Sequence, residues 1–353
     1  MKVQLTKDKE VYNYCKPYII AEIGSNHNGD MDLARKLIGQ AKSCGADCIK
    51  FQSWTKDTIF SKKTYNDNYF IADDYRDRSD YTLESIVEAY SISEEELLQM
   101  KEVCDELDID CASTPFSEQE VDFLVYKLGA PFIKTASMDL NNYPFLKYIA
   151  SKGKPVVLST GLSELYEIDK AVRTIEAEGN NQITILHCVS IYPPQDEQVN
   201  LRRIETLQKM YPNYPIGFSD HTLGYEVPLA SMALGSCIIE KHFTLDKNME
   251  GWDHKVSADQ YDLKIIVNGA EKIWKSMGTN RISVQEDQER RDSFRRSIVL
   301  KRPIPAGESI KRDNVDYKRP GEGIAPEHVE WVIGRVAAVD IPDDVPLQKH
   351  FLR

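Results

Sequence analysis

The chain has 353 residues, 41% of them hydrophobic and 28% charged, a balance ordinary for a soluble globular enzyme and enough for one large barrel with a small second domain. Its 44 Lys+Arg against 56 Asp+Glu give a formal charge of −12. That argues against a nucleic-acid-binding protein, which needs a basic face, but not against a basic pocket for a small anion. No run reaches the ~18 consecutive apolar residues of a membrane helix, and the N-terminal MKVQLTKDKEVYNYCKPY lacks the apolar core of a signal peptide. The seven cysteines show no CxxC spacing, so reduced thiols in the cytoplasm are expected. Cys44 and Cys48, four apart, read as packing neighbours on one helix rather than as metal ligands.

Along the chain, eight β-rich runs recur at intervals that leave room for a helix: YIIAEI (18–23), CIKFQ (48–52), DCAST (110–114), FIKTAS (132–137), VVLST (156–160), ITILHCV (183–189), IGFSD (216–220) and CIIEKHFT (237–244). Near-continuous apolar runs are what parallel strands buried on both faces require. Between them, MDLARKLIGQAKSCG places Leu33, Leu37, Ile38 and Ala41 on one helical face, and 118–129 and 163–179 read the same way. Alternating strands and helices predict a (β/α)8 TIM barrel, with an open doubly wound sheet as the alternative. No GxGxxG or GxxxxGK[ST] follows a strand, so nothing points to dinucleotide or P-loop binding. The polar, tyrosine-rich stretch 56–92 is too long for a plain βα loop; it suits a substrate lid or a solvated insertion equally. The barrel domain is taken as 1–282 and the charged segment 283–293 as a linker. A small β-rich domain with Pro and Gly turns then fills 294–353.

In a barrel, function collects where the strands end. Here the ends carry Glu22, then Lys50 and Gln52 on one face, Thr114, Lys134 with Ser137 and Asp139, Ser159, Ser219, and Glu240 to His242. Singly, a Ser or Thr there is a helix cap and a Lys a surface charge. But Lys50 and Lys134 sit inside apolar strands, where an unpaired charge is costly. Two such lysines and several hydroxyls on one rim describe a phosphate or carboxylate site. His221 and His242 end neighbouring strands, and with Glu22 across the rim they suit a divalent cation with open positions. His27 is a further candidate; His187, inside a strand, reads as a hydrogen-bonded core histidine.

The segments IIAEIGSNHNGD (19–30), GADCIKFQ (45–52), STPF (113–116), IKTASMDLNNYP (133–144), GKPVVLSTG (153–161), LHCVSIYP (186–193), GFSDHTLG (217–224) and ALGSCIIEKHFTLD (233–246), in this order, resemble the sialic acid synthase family, that is, N-acetylneuraminate synthases and the related legionaminic and pseudaminic acid synthases. The tail around KRPGEGI (318–324) resembles the antifreeze-like SAF domain that follows the barrel there. The resemblance implies condensation of phosphoenolpyruvate with an open-chain N-acetylated amino sugar, giving a nine-carbon 2-keto acid and phosphate. It implies a divalent metal, typically Mn2+, with Mg2+ or Co2+ as alternatives. By the same resemblance Lys50, Thr114, Lys134, Ser137, Ser159 and Ser219 hold phosphoenolpyruvate, and His221 and His242 hold the metal. Glu22 contacts the sugar and a water at the metal, and Asp253 in GWDH is the acidic residue nearby. Asp139 stands where some members carry Glu, and Gln52 and Tyr192 join the pocket. Arg319 reaches the sugar's N-acetyl region from the partner of a domain-swapped homodimer. Acceptor choice is read partly by 61–81, which matches no single member, and Trp252 replaces the Pro of a common GPDH. N-acetylmannosamine and a 2,4-diacetamido-trideoxy hexose both stay open.

Three rival readings remain on sequence grounds. They are a Schiff-base aldolase using Lys50 or Lys134, a phosphoenolpyruvate-condensing barrel acting on a phosphorylated sugar, and a non-catalytic carbohydrate-binding protein.

Overall fold

The computed structural model describes residues 2–67 and 82–353. The chain divides into two compact units, Met1–Gly278 and Thr279–Arg353. The first is built on eight parallel strands: β1 (Tyr18–Glu22), β2 (Cys48–Gln52), β3 (Asp110–Thr114), β4 (Ile133–Thr135), β5 (Val156–Ser159), β6 (Ile183–Cys188), β7 (Ile216–Asp220) and β8 (Ile238–His242). Ladders join them in the order β3-β2-β1-β8-β7-β6-β5-β4, and β3 and β4 lie side by side at the seam. This is the near-closed ring that the eight alternating runs predict. Strand β4 is the short one. The backbone leaves it after Thr135, and Ser137–Asp139 forms a 3-10 turn instead of extending the strand.

The connecting helices bury one stripe each. Helix α1 (Met31–Cys44) buries Ala34, Leu37, Ile38, Ala41 and Cys44, while Leu33 is only partly covered. It starts because the Asp30 side chain accepts hydrogen bonds from the Asp32 and Leu33 amides, satisfying donors that have no partner in the helix. Cys44 ends this helix and Cys48 opens β2, so the two cysteines do not share a helix as their spacing suggested. All seven cysteines are buried free thiols. Stretch 118–129 is helical, with an α-turn at Glu118–Asp122 widening into a π-helix at Phe123–Leu128.

Two features bear on the site. A hairpin of two-residue strands, Val3–Gln4 and Glu10–Val11, adds Val3, Leu5 and Val11 to an apolar cluster with Ile20, Cys48, Ala112, Phe132, Val157, Leu186 and Ile238. That cluster is the barrel floor. The described parts of 56–92 form short helices at Lys56–Ile59, Lys62–Asn66 and Leu83–Tyr90. They are not merely solvated, since Leu83 and Val87 pack with Trp54 against Ile59, Phe60, Tyr90 and Trp252. The remainder of that insertion, including much of 61–81, where the resemblance places acceptor choice, lies outside the described residues. No described helix is long and apolar enough to cross a membrane.

The second unit pairs β9 (Ser297–Leu300) with β10 (Val315–Lys318) in antiparallel register. Ile298, Leu300, Ile304, Ile310, Val332 and Leu347 form its core. The segment read as a linker contains a short helix, Gln288–Phe294, capped by Asp287.

Candidate active site

Side chains alternate along a strand, so each inward residue of the floor is followed two positions later by another inward residue nearer the mouth. On seven strands that next residue is polar: Glu22, Lys50, Thr114, Lys134, Ser159, Ser219 and Glu240, each at most 6% exposed. They converge. The Lys50 ammonium forms an ion pair with Glu22, donates to Thr114 Oγ1 at 3.0 Å and faces Glu240 Oε2 at 3.8 Å. The Lys134 ammonium donates to Ser159 Oγ at 2.7 Å and to the Thr135 carbonyl at 3.0 Å, and faces Glu240 Oε1 at 3.5 Å. Ser219 Oγ donates to that same Oε1 at 2.9 Å.

Burial and neighbouring charge act differently on Lys50, Glu240 and Lys134. Burial works against the Lys50 ammonium, but Glu22 and Glu240 outweigh it and hold its pKa above the ordinary value. Burial also opposes the Glu240 carboxylate, yet Lys134 and Lys50 hold it down at about 2. Lys134 has one carboxylate close by and Lys50 as a repelling neighbour, so burial pulls its pKa below the ordinary value. Unpaired ions this deep would be unstable; together they are tolerated.

Toward the mouth, Glu22 Oε1 accepts from the Gly24 amide at 2.7 Å and from Gln52 Nε2 at 3.1 Å, and Gln52 Oε1 accepts from the Trp54 indole at 2.9 Å. Gly24 must lack a side chain, because a Cβ there would collide with Glu22 Oε1 and Gln52 Cγ. The His221 and His242 rings lie 5.5 Å apart, with the Tyr192 ring 4.0 Å from His221 and 6.0 Å from His242. His221 Nδ1 donates to the Val189 carbonyl at 2.8 Å, which in the neutral ring leaves the Nε2 lone pair free to bind a cation. His242 Nδ1 is buried without a hydrogen bond, 3.7 Å from Asp253 Oδ2. Burial lowers the pKa of His242 against the pull of Asp253 and Glu22, favouring the neutral, ligating form. Two imidazoles beside Glu22 therefore fit a divalent cation. Among the described residues no three His, Cys, Asp or Glu side chains make a ready cage, so further ligands would come from water or substrate.

The remaining sequence candidates divide. Asp253 joins the site and accepts from Ser25 Oγ at 2.6 Å. Ser137 Oγ accepts from the Gly161 amide at 3.0 Å, where β4 and β5 end. Asp139 lies in the 3-10 turn after β4; Asn142 Nδ2 donates to its Oδ1 at 3.3 Å, its Oδ2 is buried without a hydrogen bond, and burial raises its pKa. Arg319 belongs to the second unit, exposed, with its guanidinium over the Phe294 ring at 5.1 Å. His187 is a core residue as expected, bonded to the Val199 carbonyl at 2.7 Å and stacked on Phe218. Sequence reasoning assigned no role to Glu240 or Ser25. An acidic residue inside the apolar run CIIEKHFT was the available signal for Glu240. Ser25 meets Asp253 across 228 positions of chain, a pairing that local pattern cannot show.

Residues 37–282 match the NeuB family and residues 295–353 match the SAF domain. An uncharacterised protein of Methanocaldococcus jannaschii is 43% identical over 93% of this chain and 92% of its own. The N,N'-diacetyllegionaminic acid synthase of Legionella pneumophila is 36% identical over 90% of this chain and 89% of its own. The crystal structure of N-acetylneuraminic acid synthetase from Leptospira borgpetersenii superposes with a TM-score of 0.72 at 31% identity, covering 82% of this chain and 94% of that one. With the strand-end residues gathered as described and both regions matched, the chain belongs to the NeuB family of sialic-acid-type synthases, enzymes that form carbon–carbon bonds, and carries a SAF domain after its barrel.

Proposed function

We propose that the protein condenses phosphoenolpyruvate with the open-chain form of an N-acetylated amino sugar and water, giving a nonulosonic acid and phosphate. The observation that carries this reading is the convergence of two buried lysines, Lys50 and Lys134, with the hydroxyls of Thr114, Ser159 and Ser219 on one layer of the barrel. Ammonium groups and hydroxyls together neutralise and orient phosphate and carboxylate oxygens, and Ser137 extends the same rim.

His221 and His242 would hold a divalent cation, Mn2+ in this reading, which would supply Lewis-acid polarisation of the sugar carbonyl. The chain's own residues do the rest. Lys50 and Lys134 fix the phosphate and carboxylate so that C3 of phosphoenolpyruvate faces the aldehyde carbon. As the C–C bond forms, the aldehyde oxygen takes a proton from solvent and becomes a hydroxyl; the proton that the attacking water gives up in the next step balances it. Glu22, fixed by Lys50, Gln52 and the Gly24 amide, orients the water that adds to C2 and accepts its proton. Asp253, fixed by Ser25, orients the sugar with Gln52, Tyr192 and Asp139. The C2–O bond of the phosphate ester then breaks, its electron pair leaves with the phosphate oxygen, and the C2 hydroxyl proton passes to the departing phosphate, leaving a ketone and inorganic phosphate. Arg319 reaches the sugar's acetamido group from the SAF domain of a second copy, so the working unit is a domain-swapped homodimer in the cytoplasm.

The test is phosphate release from phosphoenolpyruvate with Mn2+, offering N-acetylmannosamine and a 2,4-diacetamido-trideoxy hexose separately. Release with one sugar supports the reading and names the acceptor. No release with either, together with borohydride trapping of a keto acid on the protein, would replace it with a Schiff-base aldolase.

A further inference from the structure

Glu240 is the one member of the buried ionic layer to which that mechanism gives no task. Its carboxylate spans the two lysines, with Oε1 3.5 Å from Lys134 and Oε2 3.8 Å from Lys50. Both distances exceed a hydrogen bond, so the contacts are Coulombic. Oε1 is fixed by Ser219, and Oε2 is buried with no hydrogen bond. With Glu22 it sets two carboxylates against the two lysines, so the subsite holds its own counter-charge before any anion arrives.

We infer that Glu240 is a built-in counter-anion of the phosphate subsite. It holds both ammonium groups in place while the subsite is empty, and it repels the phosphate once that is bound. The lysines alone would grip inorganic phosphate tightly, because a low-dielectric interior strengthens every charge pair. A fixed carboxylate among them weakens that grip and lets the product leave. Binding energy is thereby kept for the transition state rather than for the product. The inference rests on the reading of Lys50 and Lys134 as an anion site.

Calorimetric titration of the full chain with inorganic phosphate, in the presence of Mn2+, tests it. Glu240→Gln keeps the size and the Ser219 contact but removes the charge. It should bind phosphate about tenfold more tightly than the parent, the size of one lost charge repulsion of about 1.4 kcal/mol. In turnover it should lower the KM for phosphoenolpyruvate and lower kcat, as phosphate release becomes limiting. Glu240→Asp draws the carboxylate back from both lysines and should fall between the two, which keeps a test in hand if the glutamine variant does not fold. Damage to the fold would weaken phosphate binding, so the direction separates the proposal from a structural role. Equal or weaker binding by Glu240→Gln overturns it. Phosphate binding that survives Lys134→Ala in the parent would place the anion elsewhere and overturn the anion-site reading along with it.

Discussion

The floor and the mouth of the barrel use the same inward face of the same eight strands, two residues apart. At the floor stand Ile20, Cys48, Ala112, Phe132, Val157, Leu186, Gly217 and Ile238, fully or almost fully buried and apolar apart from the glycine. Gly217 is there because a Cβ would press on Leu186 and the Ile238 backbone. One layer up stand Glu22, Lys50, Thr114, Lys134, Ser159, Cys188, Ser219 and Glu240. The apolar layer gains from leaving water. The layer above gives up that gain for four buried charges whose pairing offsets their desolvation at best. Stability is therefore assigned to the floor and chemistry to the mouth, and changes in the two layers should have opposite signatures.

The largest expected effect is at the mouth. Lys134→Ala should reduce phosphate release per folded molecule by about 10^3-fold, the scale of removing a key electrostatic contact to the reacting group. Stopped or steady-state phosphate assays on protein matched for circular dichroism check it. Next comes the metal. Chelation with EDTA, or His242→Ala, should lower the rate by about 10^2- to 10^3-fold, with Mn2+ restoring the chelated parent but not the variant.

At the floor the pattern reverses. Ile238→Ala should cost about 2–5 kcal/mol of stability by leaving a cavity, measured as a shift in the urea midpoint, while kcat/KM per folded molecule stays within about threefold. A large loss of turnover without loss of stability there would break the division of labour.

A stability effect of similar size that depends on pH concerns the loop beyond β1, where burial lowers the pKa of His27 to about 4. The unfolded chain, with His near 6.5, takes up the proton first as pH falls. This contribution is therefore complete above pH 6.5 and is lost progressively toward pH 4, about 3 kcal/mol in all. Urea melts at pH 7 and pH 4 should show it, and His27→Asn should flatten the difference between them.

Much of this division was legible in the residues alone. The eight apolar runs marked the strands, and the polar residues closing them marked the mouth, because alternation puts both on one inward face. Lys50 and Lys134 stood out by their surroundings. Other features left no such mark. The floor-sealing hairpin has strands of only two residues, too short for a period to show. Strand β4 stops at Thr135, two residues short of the run FIKTAS, at a turn that no Gly or Pro marks in the sequence. The i, i+4 spacing of Cys44 and Cys48 suits one helix, yet the chain turns at Gly45 between them, which spacing alone does not reveal. The counter-charge at Glu240 depends on distances to two residues more than a hundred positions away, which only the near-closed ring sets.

The most direct measurement is a crystal structure of the protein with Mn2+ and phosphoenolpyruvate. The account predicts the phosphate and carboxylate between Lys50, Thr114, Lys134, Ser159 and Ser219, with the cation on His221 and His242. Phosphoenolpyruvate bound away from that layer, or a covalent bond from either lysine to the ligand, would contradict it.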